Sequence, residues 1–522
     1  MHDWKSCVPG RVPRVQIPLS PQINMMSKFE YMEAGVLGIH AAMLANRVCC
    51  QSLVDFYLKR IDAYDKQGPC LNSVILINPN AREEAGKLDA EFKKTGKLSG
   101  PLHGIPVLLK DNFGTFDMPT TAGSLSLSGF VPKNDAFVTD RLRKAGAIIL
   151  AKTNLHEFAI WGETVSSILG QTLNPYDPGR TPGGSSGGTG AGIAANFGVI
   201  GLGTDTINSI RSPASANNLV GIRPTMGLVS RDGIIPYSHT QDTAGPICRT
   251  VEDAALTLDI IAGYDSADPE TAWAAGMIPA GGFTAFLKKD GLKGKRIGIL
   301  ESFFGTADEH AEVNRAMEQA IKIFSQNGAK TVSIANNAFL PDGSAWLVTQ
   351  ASVHLNELNE NLSGYLGGFP NAPVHSLDEV MACGKYHPGI KASIDTALAM
   401  STKTPEYYQK LMLRQKIRTS LMKLMTDFKL DAIIYPHQQQ LVCKAGESQQ
   451  QRNGVLCSVT GFPSIAVPAG FSAPTQDAPL GVPIGMEIIG RPWSEPLLIE
   501  IACGFQYVSR LRKPPVSVPD LD

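Results

Sequence analysis

The chain has 522 residues, of which 43% are hydrophobic and 18% charged, a composition typical of soluble globular proteins. Its 47 Lys and Arg residues balance 48 Asp and Glu residues, so no basic field predicts a nucleic-acid or membrane partner. We find no run of about 18 apolar residues that could span a bilayer. Nine cysteines without a C-x-x-C pair indicate reduced thiols rather than a disulfide framework, so we expect a cytoplasmic protein.

The N-terminal part of the chain predicts a loosely attached arm followed by helices and strands. Residues 1–30 are rich in proline and polar groups and predict the arm. Apolar residues at helical spacing between 38 and 66 predict helix, with a break near 48–51. Apolar runs of strand length follow at 74–79 and 105–110.

The rest of the chain repeats this alternation. Residues 136–152 predict a helix, a glycine stop and a buried strand, and similar elements recur at 296–301, 313–324 and 432–436. Helices that alternate with apolar strands predict an α/β layer fold.

Two segments do not follow the alternation. Residues 267–293 hold several glycines and prolines and predict a linker or a surface excursion. Residues 340–430 are mostly helical in pattern and predict a cover over the substrate.

The glycine-rich stretch TPGGSSGGTGAG at 181–192 raises the question of what approaches its backbone so closely. A phosphate loop needs a lysine directly after the glycines, and a dinucleotide loop needs a strand directly before them; this stretch has neither. It also contains the Gly-x-Ser-x-Gly pattern of a nucleophile elbow centred on Ser186, but that motif too follows a strand. A flexible linker is disfavoured, because a small-residue helix and the apolar strand at 199–205 follow directly.

Three motifs together carry a hypothesis about the chemistry. HGIPVLLKDNF (103–113) ends an apolar strand at Lys110, TPGGSSGG (181–188) offers Ser185, and GLGTDTINSIR (201–211) carries Ser209. With further segments such as MPTTAGS (118–124) and GFPSIAVPAGF (461–471), the chain resembles the amidase signature family. The resemblance implies a single α/β/α domain with a large mixed sheet between helical layers. Its expected bounds are about 31–515, with the signature core at about 100–255.

The resemblance also implies a Lys–Ser–Ser catalytic triad. Ser209 matches the nucleophile, Ser185 matches a bridging serine whose preceding peptide bond is cis, and Lys110 matches the base. The chemistry agrees, because a serine hydroxyl attacks only when a base takes its proton. Burial among apolar residues lowers a lysine pKa by up to about 3–5 units, which would let Lys110 act as that base.

Each of these residues also has a structural interpretation. A lysine at the end of a strand is usually a solvated charge, and Ser209 could be a helix N-cap. Asp205 and Arg211 could form a structural pair, and we expect them, with Ser186, to support the nucleophile loop. The joint match in order, spacing and context favours catalytic roles for Lys110, Ser185 and Ser209.

The sequence departs from the family at the expected oxyanion hole, which is formed by backbone N–H groups from Thr206 to Ser209. Family members usually carry Gly-Gly where this chain has Ile207 and Asn208. Because a β-branched residue rarely adopts positive φ, we expect Ile207 at negative φ, with Asn208 taking any left-handed position that the turn demands. The isoleucine side chain should also narrow the space around the scissile group.

The predicted reaction is hydrolysis of linear carboxylic amides, and of esters, through an acyl-Ser209 intermediate. We expect no cofactor and no metal, a small-molecule amide or ester as substrate, and a monomer or homodimer. Two alternatives stay open. One is the glutamine-hydrolysing component of a tRNA-dependent amidotransferase, its A subunit. The other is a biosynthetic or impaired relative in which acyl transfer or binding replaces hydrolysis.

Overall fold

The computed structural model describes residues 29–334, 340 and 343–521. Residues 1–28 of the predicted arm therefore lie outside the described residues. Phe29, near the start of the described chain, packs against the main hydrophobic core.

The fold is built on one large mixed sheet. The described residues form thirteen strands: β1 (Val74–Ile77), β2 (Pro106–Lys110), β3 (Ile148–Thr153), β4 (Val165–Ser166), β5 (Gly170–Gln171), β6 (Ile200–Asp205), β7 (Val220–Arg223), β8 (Thr243–Cys248), β9 (Arg296–Leu300), β10 (Lys330–Ile334), β11 (Ala432–Pro436), β12 (Ser464–Phe471) and β13 (Pro483–Ile489). Eleven of them form the sheet in the order β1-β3-β2-β6-β8-β7-β12-β13-β11-β9-β10, while β4 and β5 form a separate hairpin. The β3-β2-β6 and β11-β9-β10 pairings are parallel and the remaining pairings are antiparallel.

Helices surround this sheet. The described residues form fifteen α-helices: α1 (Val36–Leu44), α2 (Cys50–Tyr64), α3 (Ala81–Thr95), α4 (Phe137–Lys144), α5 (Gly187–Ala194), α6 (Arg211–Ala216), α7 (Val251–Ile261), α8 (Ala311–Gln326), α9 (Gly343–Ala351), α10 (His354–Gly367), α11 (Leu377–Cys383), α12 (Lys391–Ala399), α13 (Pro405–Asp427), α14 (Val455–Thr460) and α15 (Glu495–Ser509). Short 3₁₀ helices lie at Leu125–Leu127, Glu157–Ala159, Pro269–Ala274, Phe283–Phe286, Glu301–Phe303, Asp308–His310 and Pro388–Ile390. None of the helices in the described part of the chain is long and apolar enough to cross a membrane.

The strands at the centre of the sheet are covered on both faces. Every residue of β2, β3, β6, β7, β8, β11 and β13 is buried, as expected when helices pack on each side of a sheet. Helices α5 and α6 contact each other. Helix α5 packs on β2, β3, β6 and β8, and α6 packs on β7, β12 and β13, whereas α15 contacts both α7 and α8. The predicted α/β layer architecture with a large mixed sheet is confirmed.

The sequence signals for several elements agree with the structure. The helical pattern at 38–66 forms α1 and α2 with a break between them, and the pattern at 136–152 forms α4 and β3. The start of helix α13 is capped, because Thr404 Oγ1 accepts the Tyr407 N–H at 3.3 Å and Pro405 occupies the first turn.

Residues 267–293 connect α7 to β9 over the surface. They form two 3₁₀ helices, and Phe283 and Leu292 anchor them to the main core. Since β8 and β9 belong to the same sheet, this segment is a surface excursion rather than a linker between separate sheets.

The predicted helical segment at 340–430 forms α9 to α13. Helices α10, α11 and α12 build a second hydrophobic cluster against loops of the preceding half of the chain, through Leu358, Leu362, Ile394, Phe130 and Tyr237 among others. Its role as a cover over the substrate stays a prediction.

Candidate active site

Lys110 is the last residue of β2 and is fully buried, so the expectation of a solvated strand-end charge does not apply to it. Its Nζ donates hydrogen bonds of 2.7 Å to Ser185 Oγ and to Thr204 Oγ1. Burial lowers the pKa of Lys110 to about 7, against the opposing effect of the Asp242 and Asp205 carboxylates. A lysine with this pKa is partly neutral near pH 7 and can accept a proton.

The glycine-rich loop packs against the chain's own backbone and side chains. A Cβ at Gly188 would lie 2.4 Å from the carbonyl oxygen of Asn154, and one at Gly187 would lie 2.2 Å from Thr164 Oγ1. Close approach therefore requires glycine at both positions. The peptide bond between Gly184 and Ser185 is cis, as the family resemblance implies.

The serine pair lies beside Ser209. The Ser186 N–H donates to the Ser209 carbonyl at 3.3 Å, while Ser186 Oγ is fully buried and donates to the Thr204 carbonyl at 3.3 Å. Ser209, by contrast, lines a cleft. Among the described residues the Ser209 hydroxyl has no hydrogen-bond partner, so hydrogen bonds join Lys110 to Ser185 but not Ser185 to Ser209.

The turn between β6 and α6 borders the same cleft. Neither Ile207 nor Asn208 has a positive φ, so Ile207 has the expected conformation and the turn needs no left-handed Asn208. Thr206, Ile207, Asn208 and Ser209 all line the cleft. Their N–H groups donate to no other residue that the structure describes.

Side chains from outside the turn donate hydrogen bonds to two of its carbonyl groups. Arg211 Nη2 donates to the Ile207 carbonyl at 2.6 Å. Ser458 Oγ and Gln241 Nε2 donate to the Thr206 carbonyl at 2.5 and 3.3 Å. In a planar trans peptide the C=O and the following N–H point in opposite directions, so these bonds direct the Ile207 and Asn208 N–H groups away from their anchors.

Asp205 and Arg211 belong to a fully buried ionic network. Arg211 bonds both oxygens of Asp205 at 3.0 and 3.1 Å, and its Nη1 lies 2.6 Å from Glu487 Oε2. Arg223 Nη1 lies 2.7 Å from Asp205 Oδ1. Burial alone would raise the pKa of Asp205, but the two guanidinium groups outweigh it and hold that pKa well below its ordinary value. The predicted structural pair thus forms part of a larger network.

Neighbouring positive charge also decides the pKa of Glu487. Burial would raise the pKa of this carboxyl, but Arg211 and the His437 ring lower it to about 2. The His437 Nδ1 lies 2.6 Å from Glu487 Oε1.

The cleft next to Ser209 has a volume of about 530 Å³, within the usual range for small-molecule sites. Its walls are largely apolar, and its cations are Lys410 and Arg452. No carboxylate side chain is found among its described lining residues. Beside Ser209 and Ile207, the lining includes Trp161, Val348, Met400, Lys410 and Arg452.

Sequence reasoning missed several polar groups around the site. Thr204 Oγ1 accepts from Lys110 and also from Asn112 Nδ2 at 3.0 Å, and Asp242 Oδ1 accepts the Thr206 hydroxyl at 2.6 Å. Thr204 stands next to Asp205 in the third motif, so the motif could have indicated that Thr204 lies near the site. No local sequence pattern indicates a role for Ser458, because it lies 252 residues from Thr206 in sequence.

No group of three or more His, Cys, Asp or Glu side chains within residues 29–334, 340 and 343–521 is arranged to hold a metal ion. The expectation of a reaction without metal or cofactor stays a prediction.

Comparison with known proteins gives one consistent family. Residues 52–499 match the family described as Amidase. A probable amidase of Arabidopsis thaliana is 37% identical over 95% of this chain and 93% of its own length. The A subunit of the glutamyl-tRNA(Gln) amidotransferase of Gloeothece citriformis is 35% identical over 89% of this chain and 96% of its own length. The native peptide amidase of Stenotrophomonas maltophilia superposes with a TM-score of 0.82 at 37% identity, covering 93% of this chain and 99% of that one.

The chain therefore belongs to the amidase family, and its sheet with flanking helices is the amidase signature fold. Family membership and the likeness to a peptide amidase support amide hydrolysis as its general reaction.

Proposed function

We propose that this protein hydrolyses linear carboxylic amides through an acyl-Ser209 intermediate. The observation that carries the proposal is the 2.7 Å hydrogen bond from the fully buried Lys110 to Ser185, next to a cleft lined by Ser209. A base with a pKa near 7, a serine relay and an open nucleophile are the parts that such a reaction needs.

The proposed sequence of steps begins with neutral Lys110. It takes the proton of Ser185, which in turn takes the proton of Ser209 as that oxygen attacks the substrate carbonyl. The N–H groups of Thr206, Ile207 and Asn208, with that of Ser209, would bind the resulting oxyanion. The proton then returns along the relay to the leaving amine, and water hydrolyses the acyl-enzyme by the same route.

The cleft favours an apolar acyl group that also carries hydrogen-bond acceptors. Trp161, Val348 and Met400 supply apolar surface, and Lys410 can donate to carbonyl or carboxylate oxygens. Arg452 also lines the cleft, where Glu163 neutralises its charge at 2.7 Å. Esters should react by the same tetrahedral step.

Mutation of the proposed triad tests this function. Ser209→Ala should abolish turnover of an amide that the wild type cleaves, and Ser185→Ala and Lys110→Ala should each lose most of it. Members of a relay fail as a unit, so double variants should be little slower than single ones. Turnover measured on a chromogenic amide, with folding checked by circular dichroism, gives the result. Near-normal activity of Ser209→Ala would exclude the assignment.

Labelling distinguishes the proposed nucleophile from the elbow serine. A fluorophosphonate should modify Ser209, which lines the cleft, and not Ser186, which is fully buried. Peptide mapping of the adduct identifies the modified residue. An adduct on Ser186 would favour the nucleophile elbow instead.

The second candidate is glutamine hydrolysis for a tRNA-dependent amidotransferase, which the 35% identity to one component of such an enzyme keeps open. Purified chain alone should then release ammonia from glutamine slowly or not at all, while a panel of other amides stays untouched. The impaired alternative predicts no turnover of any amide or ester.

A further inference from the structure

A second cleft lies on the surface beside helix α13 and shares no lining residue with the cleft at Ser209. Its volume is about 850 Å³, which is within the range of sites that hold small molecules. Its charged and aromatic lining residues include Glu270, Trp273, Arg414, Arg418 and Trp493.

Two arginines leave this cleft with unbalanced positive charge. Arg414 is only 7% exposed, and its Nη2 donates to the carbonyl groups of Thr240 and Ser458 at 3.2 Å each. Within the described residues, neither Arg414 nor Arg418 has a carboxylate within ion-pair distance. The main compensating charge is Glu357, which lies beyond ion-pair distance and accepts hydrogen bonds from Ser238, Thr240 and Tyr407. Since no carboxylate pairs directly with Arg414, an anion placed beside it is favoured.

The other charges of the cleft do not remove this imbalance. Arg231 also lines it, but Asp268 neutralises that guanidinium at 2.6 Å. Glu270, on the rim, is exposed to solvent and is the single carboxylate among the described lining residues.

Two indole rings supply flat apolar surface in the same cleft. Trp273 is 70% exposed, an unusual state for the largest apolar side chain. Trp493 is half-buried against the main core, and its backbone N–H donates to Thr225 Oγ1 at 2.9 Å. Exposed aromatic surface beside arginines is typical of sites for planar ligands that carry a negative charge.

We propose that this second cleft binds a small organic anion with a flat apolar body, such as an aryl carboxylate. The carboxylate lies between Arg414 and Arg418, and the rings lie against Trp273 and Trp493. Since the two clefts share no lining residue, this ligand site is distinct from the cleft where amide cleavage is proposed.

Calorimetric titration with 2-naphthoate tests the proposal, with 2-naphthalenemethanol as the neutral analogue. The naphthoate should bind with a Kd of about 1 mM or tighter, and the alcohol about tenfold more weakly. Trp273→Ala and Arg418→Gln change side chains on the open side of the cleft and should each weaken naphthoate binding about three- to tenfold. Lys416→Gln, an exposed lysine of the same helix outside the cleft, should leave binding unchanged.

Arg414→Gln should also weaken naphthoate binding, but Arg414 is buried, so the folding of this variant must be checked by circular dichroism. Trp273 and Arg418 are exposed, so their variants test the proposal even if Arg414→Gln does not fold. Because Lys410 supplies positive charge to the other cleft, Lys410→Gln reports any binding there. The proposal is overturned if wild-type protein does not bind naphthoate. It is also overturned if Trp273→Ala and Arg418→Gln bind it as wild type does, or if Lys410→Gln alone weakens binding.

Discussion

Two fully buried lysines of this chain have different partners. Lys152 Nζ lies 2.9 Å from Asp111 Oδ1 and also donates to the carbonyl groups of Phe113 and Pro119, which fixes that segment. Among the described residues, the hydrogen-bond partners of Lys110 Nζ are the hydroxyl groups of Ser185 and Thr204. Burial lowers the pKa of both lysines, but Lys152 keeps a carboxylate in contact and Lys110 does not. The partners therefore suit Lys152 to a structural role and Lys110 to proton transfer.

The pKa of Lys110 predicts how activity depends on pH. Since the proposed base is neutral Lys110, kcat/KM for an uncharged amide should rise through pH about 7 and level off roughly one unit higher. Asp242→Asn removes a charge that raises this pKa, so the rise should move to lower pH by up to about one unit. Asp308→Asn is the control, because Asp308 is exposed and is not one of the carboxylates that raise the pKa of Lys110. Profiles of kcat/KM from acid to alkaline pH give the measurement, and an unchanged midpoint in Asp242→Asn would contradict the prediction.

Ile207 predicts the selectivity of the site. Its side chain is half-buried, lines the cleft and packs against the cluster that contains Val455. Ile207→Gly should open space beside the scissile group and raise kcat/KM about tenfold for substrates with bulky groups next to the carbonyl. Ile207→Val should give an intermediate gain. An amide panel with graded substituents measures the change, and an unaltered order of substrate preference would contradict the assigned role.

At the scale of elements, the turn between β6 and α6 depends on helix α14. Ser458 of that helix holds the Thr206 carbonyl, and Gln241 Nε2 bonds both Ser458 Oγ, at 2.8 Å, and the same carbonyl. These bonds make Ser458 a positioning residue, since it reaches the proposed oxyanion site only through the backbone.

Ser458→Ala should therefore lower kcat about tenfold with little change in KM, because the turn loses one anchor but keeps Gln241 and Arg211. Thr460→Val is a matched control on the same helix, since the Thr460 hydroxyl donates to carbonyl groups of that helix and accepts the Phe462 N–H at 3.4 Å, away from the β6–α6 turn. Steady-state kinetics on one amide separates kcat from KM. A change confined to KM, or an equal effect of Thr460→Val, would argue against a positioning role.

The sequence predicts elements whose signals are local. Apolar runs and helix periodicity locate β2, β3, β6, β11, α4 and α8, and the motifs locate Lys110, Ser185 and Ser209. The order of strands in the sheet has no such local signal, because β12 and β13 insert between β7 and β11 through pairings distant in the chain. For the same reason no spacing rule predicts that Glu487 bonds Arg211, which is 276 residues away. The mixed sheet is therefore predicted by the resemblance to a family and not by periodicity.

At the scale of the whole molecule, the buried ionic network ties together distant parts of the sheet. Asp205 ends β6, Arg223 ends β7 and Glu487 lies within β13, while Arg211 begins α6, which packs on β7, β12 and β13. All four side chains are fully buried. The same Arg211 holds the Ile207 carbonyl, so the network links global stability to the geometry of the turn.

Glu487→Gln tests this link. Removing one partner of a buried ion pair leaves Arg211 short of negative charge, so the free energy of unfolding should fall by about 3 kcal/mol. Glu83→Gln is the control, since Glu83 pairs with Lys87 at 2.7 Å, both side chains are exposed, and the change should leave the free energy of unfolding nearly unaltered. Urea unfolding followed by circular dichroism compares the two variants. The folded Glu487→Gln protein should also show a lower kcat, because a displaced Arg211 releases the Ile207 carbonyl. Equal losses of stability in both variants, or an unchanged kcat in Glu487→Gln, would show that the network does not hold the turn.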